Sequence, residues 1–191
     1  MTDVTIFGSG NMGTAIDGVL TSGGAVVEHI GSADSDAKIA GDIVILAVPY
    51  PAFGDIIAKY SEQLAGKVVV DITNPLNFET FDALTVPAES SAAAELAEAL
   101  PESKVLKAFN TTFAATVGAK TVGPNTTTVL IASDDTDAKA ALAALISAGG
   151  VDALDAGALS RARELEAIGF LQLTLAVGEK IGLTGGFGIV R

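Results

Sequence analysis

The chain has 191 residues, 49% of them hydrophobic, and carries 23 acidic against 11 basic side chains for a net charge of -12. That size allows one compact domain burying roughly 70% of its unfolded surface, and without a Lys/Arg cluster to track a phosphate backbone, nucleic acid is not an expected partner. Cysteine is absent and His29 is the only histidine, which removes thiolate or histidine zinc sites, cysteine nucleophiles and disulfide scaffolds.

Met1, Thr2 and Asp3 lead directly into an apolar run with no basic n-region, so no secretory signal is expected and the cytoplasm is the expected compartment. Residues 4–7 suit a buried strand and residues 11–20 a helix, which puts Gly8, Gly10 and Gly13 of the run VTIFGSGNMGTAI at a strand-to-helix turn. Gly8 permits a tight turn, Gly10 lets backbone approach a pyrophosphate, and Gly13 lets the helix pack closely on the strand. The free N–H groups of such a helix start attract an anion even in an acidic protein. Glycine-rich turns also serve packing alone; the strand before, the helix after and a second strand following favour dinucleotide binding.

The second strand, residues 25–30, ends in Gly31, Ser32 and Ala33. An NAD-type site needs a carboxylate there for the ribose diol, and its lack favours NADP, with Ser32 and neighbouring N–H groups receiving the 2′-phosphate. Glu28 is the competing acid but lies inside the strand, and Lys38 is the nearest base. The bland alternative is that Gly31 and Ser32 simply make a turn. Between Ile30 and Ile43 there is no room for a helix and a third strand, so one βα unit is expected to be missing.

Further strands are expected at residues 43–48, 67–72, 104–109, 126–132 and 151–154, with helices at 55–64, 91–100 and 136–148. The alternation predicts an α/β Rossmann-type fold, a mostly parallel sheet with helices on both faces. Residues 159–181 read as one long helix ending at Gly182, followed by a glycine-rich tail. The helix is apolar nearly all round, which predicts a homodimer through its second face. The uncharged stretch 167–178 would span about 18 Å as a helix, short of the roughly 30 Å hydrocarbon core, so no membrane span is expected.

Three segments end strands where a nicotinamide would reach: Val48-Pro49-Tyr50-Pro51, DITNP at 71–75, and FNTTF at 109–113. Each is also ordinary turn chemistry. None offers an evident general acid or base; Asp71 reads as a strand-end hydrogen-bonding group and His29 as a packed strand residue. A site of this kind suits hydride transfer between two rings held face to face, with no catalytic side chain.

The run TIFGSGNMG, the DITNP segment, AFNT at 108–111 and DAGALSRARELE at 155–166 together resemble the NADP oxidoreductases that depend on coenzyme F420. The resemblance extends from Val4 to about Gly188, and the DAG-x-L-S-x-x-R-x-x-E pattern is its most specific part. It implies that Gly8, Ser9, Gly10, Asn11, Met12 and Gly13 hold the pyrophosphate, Ser32 the 2′-phosphate, and Pro49, Asn74 and Pro75 the nicotinamide side; Gly31 and Ala33 flanking the serine, and Val48 and Tyr50 flanking the proline, complete the expected cofactor-binding residues. Asn110, Thr111 and the residues to Phe113, with the Gly185-Gly186 tail, would face the deazaflavin, which exchanges hydride with NADPH.

Two side chains depart from that family: Ala33 stands where it carries Arg after the serine, and Asn110 where its deazaflavin enzymes carry His. The acceptor therefore stays open among a deazaflavin and a flavin, quinone or ferric chelate, beside an NADP(H)-binding sensor without turnover. Pyrroline-carboxylate reductases share the glycine run but need a larger helical second domain than residues 159–191 can form.

Overall fold

The computed structural model describes residues 2–34 and 36–190. Met1, on which the expectation of no secretory signal partly rests, Ser35 and Arg191 lie outside the described residues. The elements are β1 (Asp3–Phe7), α1 (Asn11–Ser22), β2 (Val26–Ile30), β3 (Ile43–Leu46), α2 (Phe53–Leu64), β4 (Val68–Asp71), α3 (Ala92–Ala99), β5 (Lys104–Lys107), α4 (Ala114–Ala119), β6 (Thr121–Val122), β7 (Asn125–Thr126), β8 (Thr128–Ala132), α5 (Thr136–Ala148), β9 (Asp152–Gly157) and α6 (Ala162–Val177).

Seven strands form one sheet in the order β2-β1-β3-β4-β5-β8-β9. The run from β2 to β5 is parallel throughout. Its strands β3 and β4 are nearly continuous apolar runs because both faces of the sheet are covered. On one face α1, α4 and α5 bury Ile16, Leu20, Val117, Leu142 and Ile146; on the other α2 and α3 bury Phe53, Ile56, Leu64 and Leu96. This is a Rossmann-type architecture, and the described residues among 31–42 hold neither helix nor strand between β2 and β3, where the usual fold has a further βα unit.

The sheet departs from uniform alternation at one place. β8 pairs antiparallel with β5, through Lys107 and Ala132, and β9 is parallel to β8. The connection from β5 is the six-residue helix α4 and the β6–β7 hairpin. It does not carry the chain back along the sheet, so the next strand returns in the opposite direction.

The long terminal helix is also shorter than its composition suggests. Residues Leu159–Arg161 form a 3₁₀ turn, and the α-helix stops at Val177. Gly178 caps it, and Glu179 then takes a left-handed φ of 56°, which no helix can continue through.

Candidate dinucleotide and acceptor site

The parallel order places β1 between β2 and β3, so the crevice beyond its C-terminal end is where the strand order reverses. The glycine turn fills that position, and each glycine has a distinct reason to be there. Gly8 has φ +98°, and a Cβ on it would sit 2.4 Å from the Ala47 carbonyl oxygen. A Cβ on Gly13 would sit 2.7 Å from the Gly8 oxygen. Gly10 has an ordinary φ of -71° and nothing within 4 Å of where its Cβ would be, so packing does not demand it. It is the N-cap of α1, with no side-chain cap and no acid in the first turn, which leaves N–H groups free for an anion. Ser9 and Asn11 are exposed beside it and Met12 is half-buried.

His29 secures the turn from the neighbouring strand. Its Nδ1 donates to the Gly8 carbonyl at 2.9 Å, and its Nε2 lies 3.1 Å from Asp17 of α1. The histidine therefore ties β2, the glycine turn and α1 together.

A cavity of about 550 Å³ opens on one side of the turn. Gly8, Ser9, Gly10, Gly31 and Ser32 form one wall, Val48 and Pro49 the other, and Ile56, Lys59 and Tyr60 of α2 close it. The sequence segments at residues 8–10, 31–32 and 48–49 thus meet, while Ala33 is exposed and does not line the cavity. Tyr50 turns away, lining a separate cavity of about 290 Å³ and donating its hydroxyl to Glu95. Burial, reinforced by Glu95, pushes the tyrosine hydroxyl up to about 12, so it stays a donor at neutral pH.

Of two carboxylates near β2, one stands as the sequence implies and the other does not. Glu28 is engaged inside the fold, accepting from the Thr5 hydroxyl at 2.7 Å and from Ala40 N–H at 3.1 Å. Asp34, four residues past the end of β2, loops back and accepts from Gly31 N–H at 2.7 Å. The strand tip therefore does meet an acid, contrary to the expectation from Gly31, Ser32 and Ala33 alone. The lysine on this cavity is Lys59 rather than Lys38.

At the other end of the turn a cavity of about 210 Å³ is lined by Asn11, Met12, Asn74, Asn110, Thr112 and Gln172, among others. A broader one of about 570 Å³, between the starts of α1 and α4, shares Asn11, Phe113 and Ala114 and reaches Leu183 of the tail. Asn74 donates to the Asn110 carbonyl at 2.8 Å; the Asn110 amide donates to Asn74 Oδ1 at 2.9 Å and to the Leu165 carbonyl at 2.8 Å. Because two of these acceptors are backbone oxygens, both amide orientations are fixed, and Asn110 Oδ1 is left buried without a partner among the described residues. Phe109, fully buried with φ 63°, makes the bend that delivers Asn110 to this place. Pro75 and Thr111 are buried but line neither cavity. The tail lies alongside: Phe187 N–H donates to Gln172 at 3.1 Å, and a Cβ on Gly186 would sit 2.9 Å from the same oxygen.

Beneath Asn74 lies a charged cluster that the sequence reading missed. Lys107 is fully buried and spends its three N–H bonds on Asp71 (2.8 Å), the Thr73 carbonyl (2.6 Å) and Glu166 (2.7 Å). Glu166, the last residue of the DAG-x-L-S-x-x-R-x-x-E pattern, also accepts from Ala92 N–H at the start of α3. Burial raises its carboxyl above the ordinary range, against the pull of Lys107. The available signal was a lysine inside the apolar run KVLKAF, since a buried ammonium requires carboxylate partners.

The chain has clear relatives. Residues 25–75 match the family model described as NADP oxidoreductase, coenzyme F420-dependent. The F420-dependent NADP reductase of Methanocaldococcus jannaschii is 33% identical over 171 residues, covering 87% of this chain and 76% of the relative. Metalloreductase STEAP3 of Rattus norvegicus is 33% identical over 135 residues, 70% of this chain but 26% of that protein. A crystal structure from Arthrobacter sp. fb24 covers the whole of both chains with a TM-score of 0.85 at 24% identity, a likeness of fold.

Proposed function

The chain belongs to the family of coenzyme F420-dependent NADP reductases, and from that premise we propose that it is an NADPH-dependent oxidoreductase whose acceptor is the deazaflavin F420. The observation that carries the reading is the uncapped start of α1, open at Gly10, standing between a cavity of about 550 Å³ and a pair of cavities at its other end. Such a cradle fits a dinucleotide lying across the helix N-terminus, and the unpaired Asn110 Oδ1 is an acceptor suited to an amide N–H at the reacting end.

Bound NADPH supplies a hydride, which the deazaflavin ring accepts. The chain's own part is to bind and orient. Gly8, Ser9 and Gly10, with the N–H groups at Asn11, Met12 and Gly13, hold the pyrophosphate; Gly31 and Ser32 face the adenosine ribose, with Val48 and Pro49 opposite. Asn74 and Asn110, locked to each other, present a fixed edge, and Phe113 with Leu183 offers apolar cover that excludes water. Tyr50, Ala33, Pro75 and Thr111 stay outside the contact set we assign, because they line none of these three cavities.

We read residues 1–191 as one dinucleotide-binding domain acting in the cytoplasm. We also read it as a homodimer formed through α6, because Ile168, Leu171 and Val177 leave an apolar face exposed, continued by Leu183 and Phe187 of the tail. Light scattering is expected to give twice the chain mass, and Leu171→Asp a monomer; a monomeric parent at micromolar concentration refutes the dimer.

The activity is tested by mixing the protein with NADPH and, in parallel, oxidised F420, a flavin and a ferric chelate. F420 is expected to be reduced fastest. The likeness to a metalloreductase makes the ferric chelate the second reading, and its preferential reduction would replace the first. NADPH binding without turnover of any acceptor would leave a sensor.

A further inference from the structure

Resting on the reading of the 550 Å³ cavity as the adenosine site, we propose that Asp34 and Lys59 set the dinucleotide preference, and that the site accepts NADH alongside NADPH. The Gly31 N–H at the tip of β2, suited to a 2′-phosphate oxygen or a ribose hydroxyl, is already held by the Asp34 carboxylate at 2.7 Å. A 2′-phosphate must displace that carboxylate and settle beside it. A ribose diol need displace nothing, because its hydroxyls donate to a carboxylate.

The charges on the cavity wall point the same way. Among the described residues Lys59 is the one cation lining it, against Asp34 and Asp55. Its ammonium lies 3.4 Å from the Asp34 main-chain oxygen and 4.9 Å from the centre of the Tyr60 ring, so it stands over the loop that carries the resident carboxylate. The phosphate thus gains one ammonium and faces two carboxylates, a balance that cannot give the exclusive NADP preference of a site built from Ser and Arg. Ala33, exposed and off the cavity wall, contributes nothing to it.

Isothermal titration of NADPH and NADH into the parent protein, Asp34→Asn and Lys59→Met decides the matter. Both residues are exposed, and asparagine can keep the Gly31 hydrogen bond, so all three proteins should share one circular dichroism melting profile. The parent is expected to bind both dinucleotides with dissociation constants within about tenfold. Asp34→Asn should tighten NADPH about tenfold and weaken NADH, and Lys59→Met should weaken NADPH about tenfold and leave NADH unchanged, each change being about one charge-assisted hydrogen bond. A parent preference beyond about a hundredfold for either dinucleotide overturns the inference alone, as does an unchanged ratio in both variants. A parent that binds neither overturns the proposed function and the inference with it.

Discussion

Replacing Lys107 with methionine removes an ammonium that sits fully buried between two equally buried carboxylates. All three of its N–H bonds are lost, orphaning the Thr73 carbonyl and leaving Asp71 and Glu166 without their cation. Breaking a buried ion pair from one side costs about 3–5 kcal/mol. Here each carboxylate keeps a backbone donor, Asp71 from Thr73 N–H at 2.7 Å and Glu166 from Ala92 N–H at 3.1 Å. The expected loss therefore lies near the lower end, about 3 kcal/mol, and a domain of ordinary stability still folds.

The loss should depend on pH, with a sign fixed by Glu166. Burial already raises its carboxyl, and Lys107 is the main influence holding it down, so the variant raises it further. A group whose folded value is raised contributes stability that is fully present below its unfolded value, about 4.3 for glutamate, and lost as pH climbs through the folded value. Lys107→Met should accordingly be less destabilised at pH 5 than at pH 8, and the Lys107→Met/Glu166→Gln double variant should recover part of the pH 8 loss. Urea unfolding of the three proteins at both pH values is the assay. A loss below about 1 kcal/mol, or equal losses at the two pH values, refutes the reasoning.

Gly10→Val should abolish measurable NADPH binding while shifting the melting temperature little, because its φ of -71° and the open space around it tolerate a side chain that a pyrophosphate would not; a variant that titrates like the parent moves the dinucleotide off the α1 start. Gly169→Ala should cost about 1–3 kcal/mol, since its Cβ would lie 2.1 Å from Asn74 Oδ1 and 2.8 Å from the Asn110 carbonyl. A neutral result by chemical unfolding would mean that α6 slides freely over the amide pair.

The parallel core was legible because its chemistry is local. Residues 43–46 and 68–70 are apolar on both sides of the pleat, as a doubly covered strand requires. The α4 segment was not legible. Its Ala, Thr and Gly residues carry no apolar period, and it forms because Val117 is buried in the core and the helix packs against α1, so closely that a Cβ on Gly118 would already lie 4.0 Å from Ala15. The end of α6 was hidden for a related reason: composition continues apolar through Ile181, whereas the stop is set by backbone at Gly178 and Glu179.

The site divides along the same line. A glycine turn can be read because no other residue meets its backbone demands, as Gly8 shows against the Ala47 carbonyl. Asp34 could not be placed on Gly31 from its position four residues beyond a strand, and Lys107 disappears into an apolar run, with partners 36 and 59 residues away. The sequence reading sought a general acid or base near the strand ends and found none evident. The structure does put ionisable groups there, but Lys107 has no N–H left to give, Asp71 and Glu166 are held by it and by backbone, and the Tyr50 hydroxyl is pushed up to about 12. Groups so committed to one another fix Thr73 and the start of α3 rather than exchange protons with a ligand, which leaves orientation as the work this site is built to do.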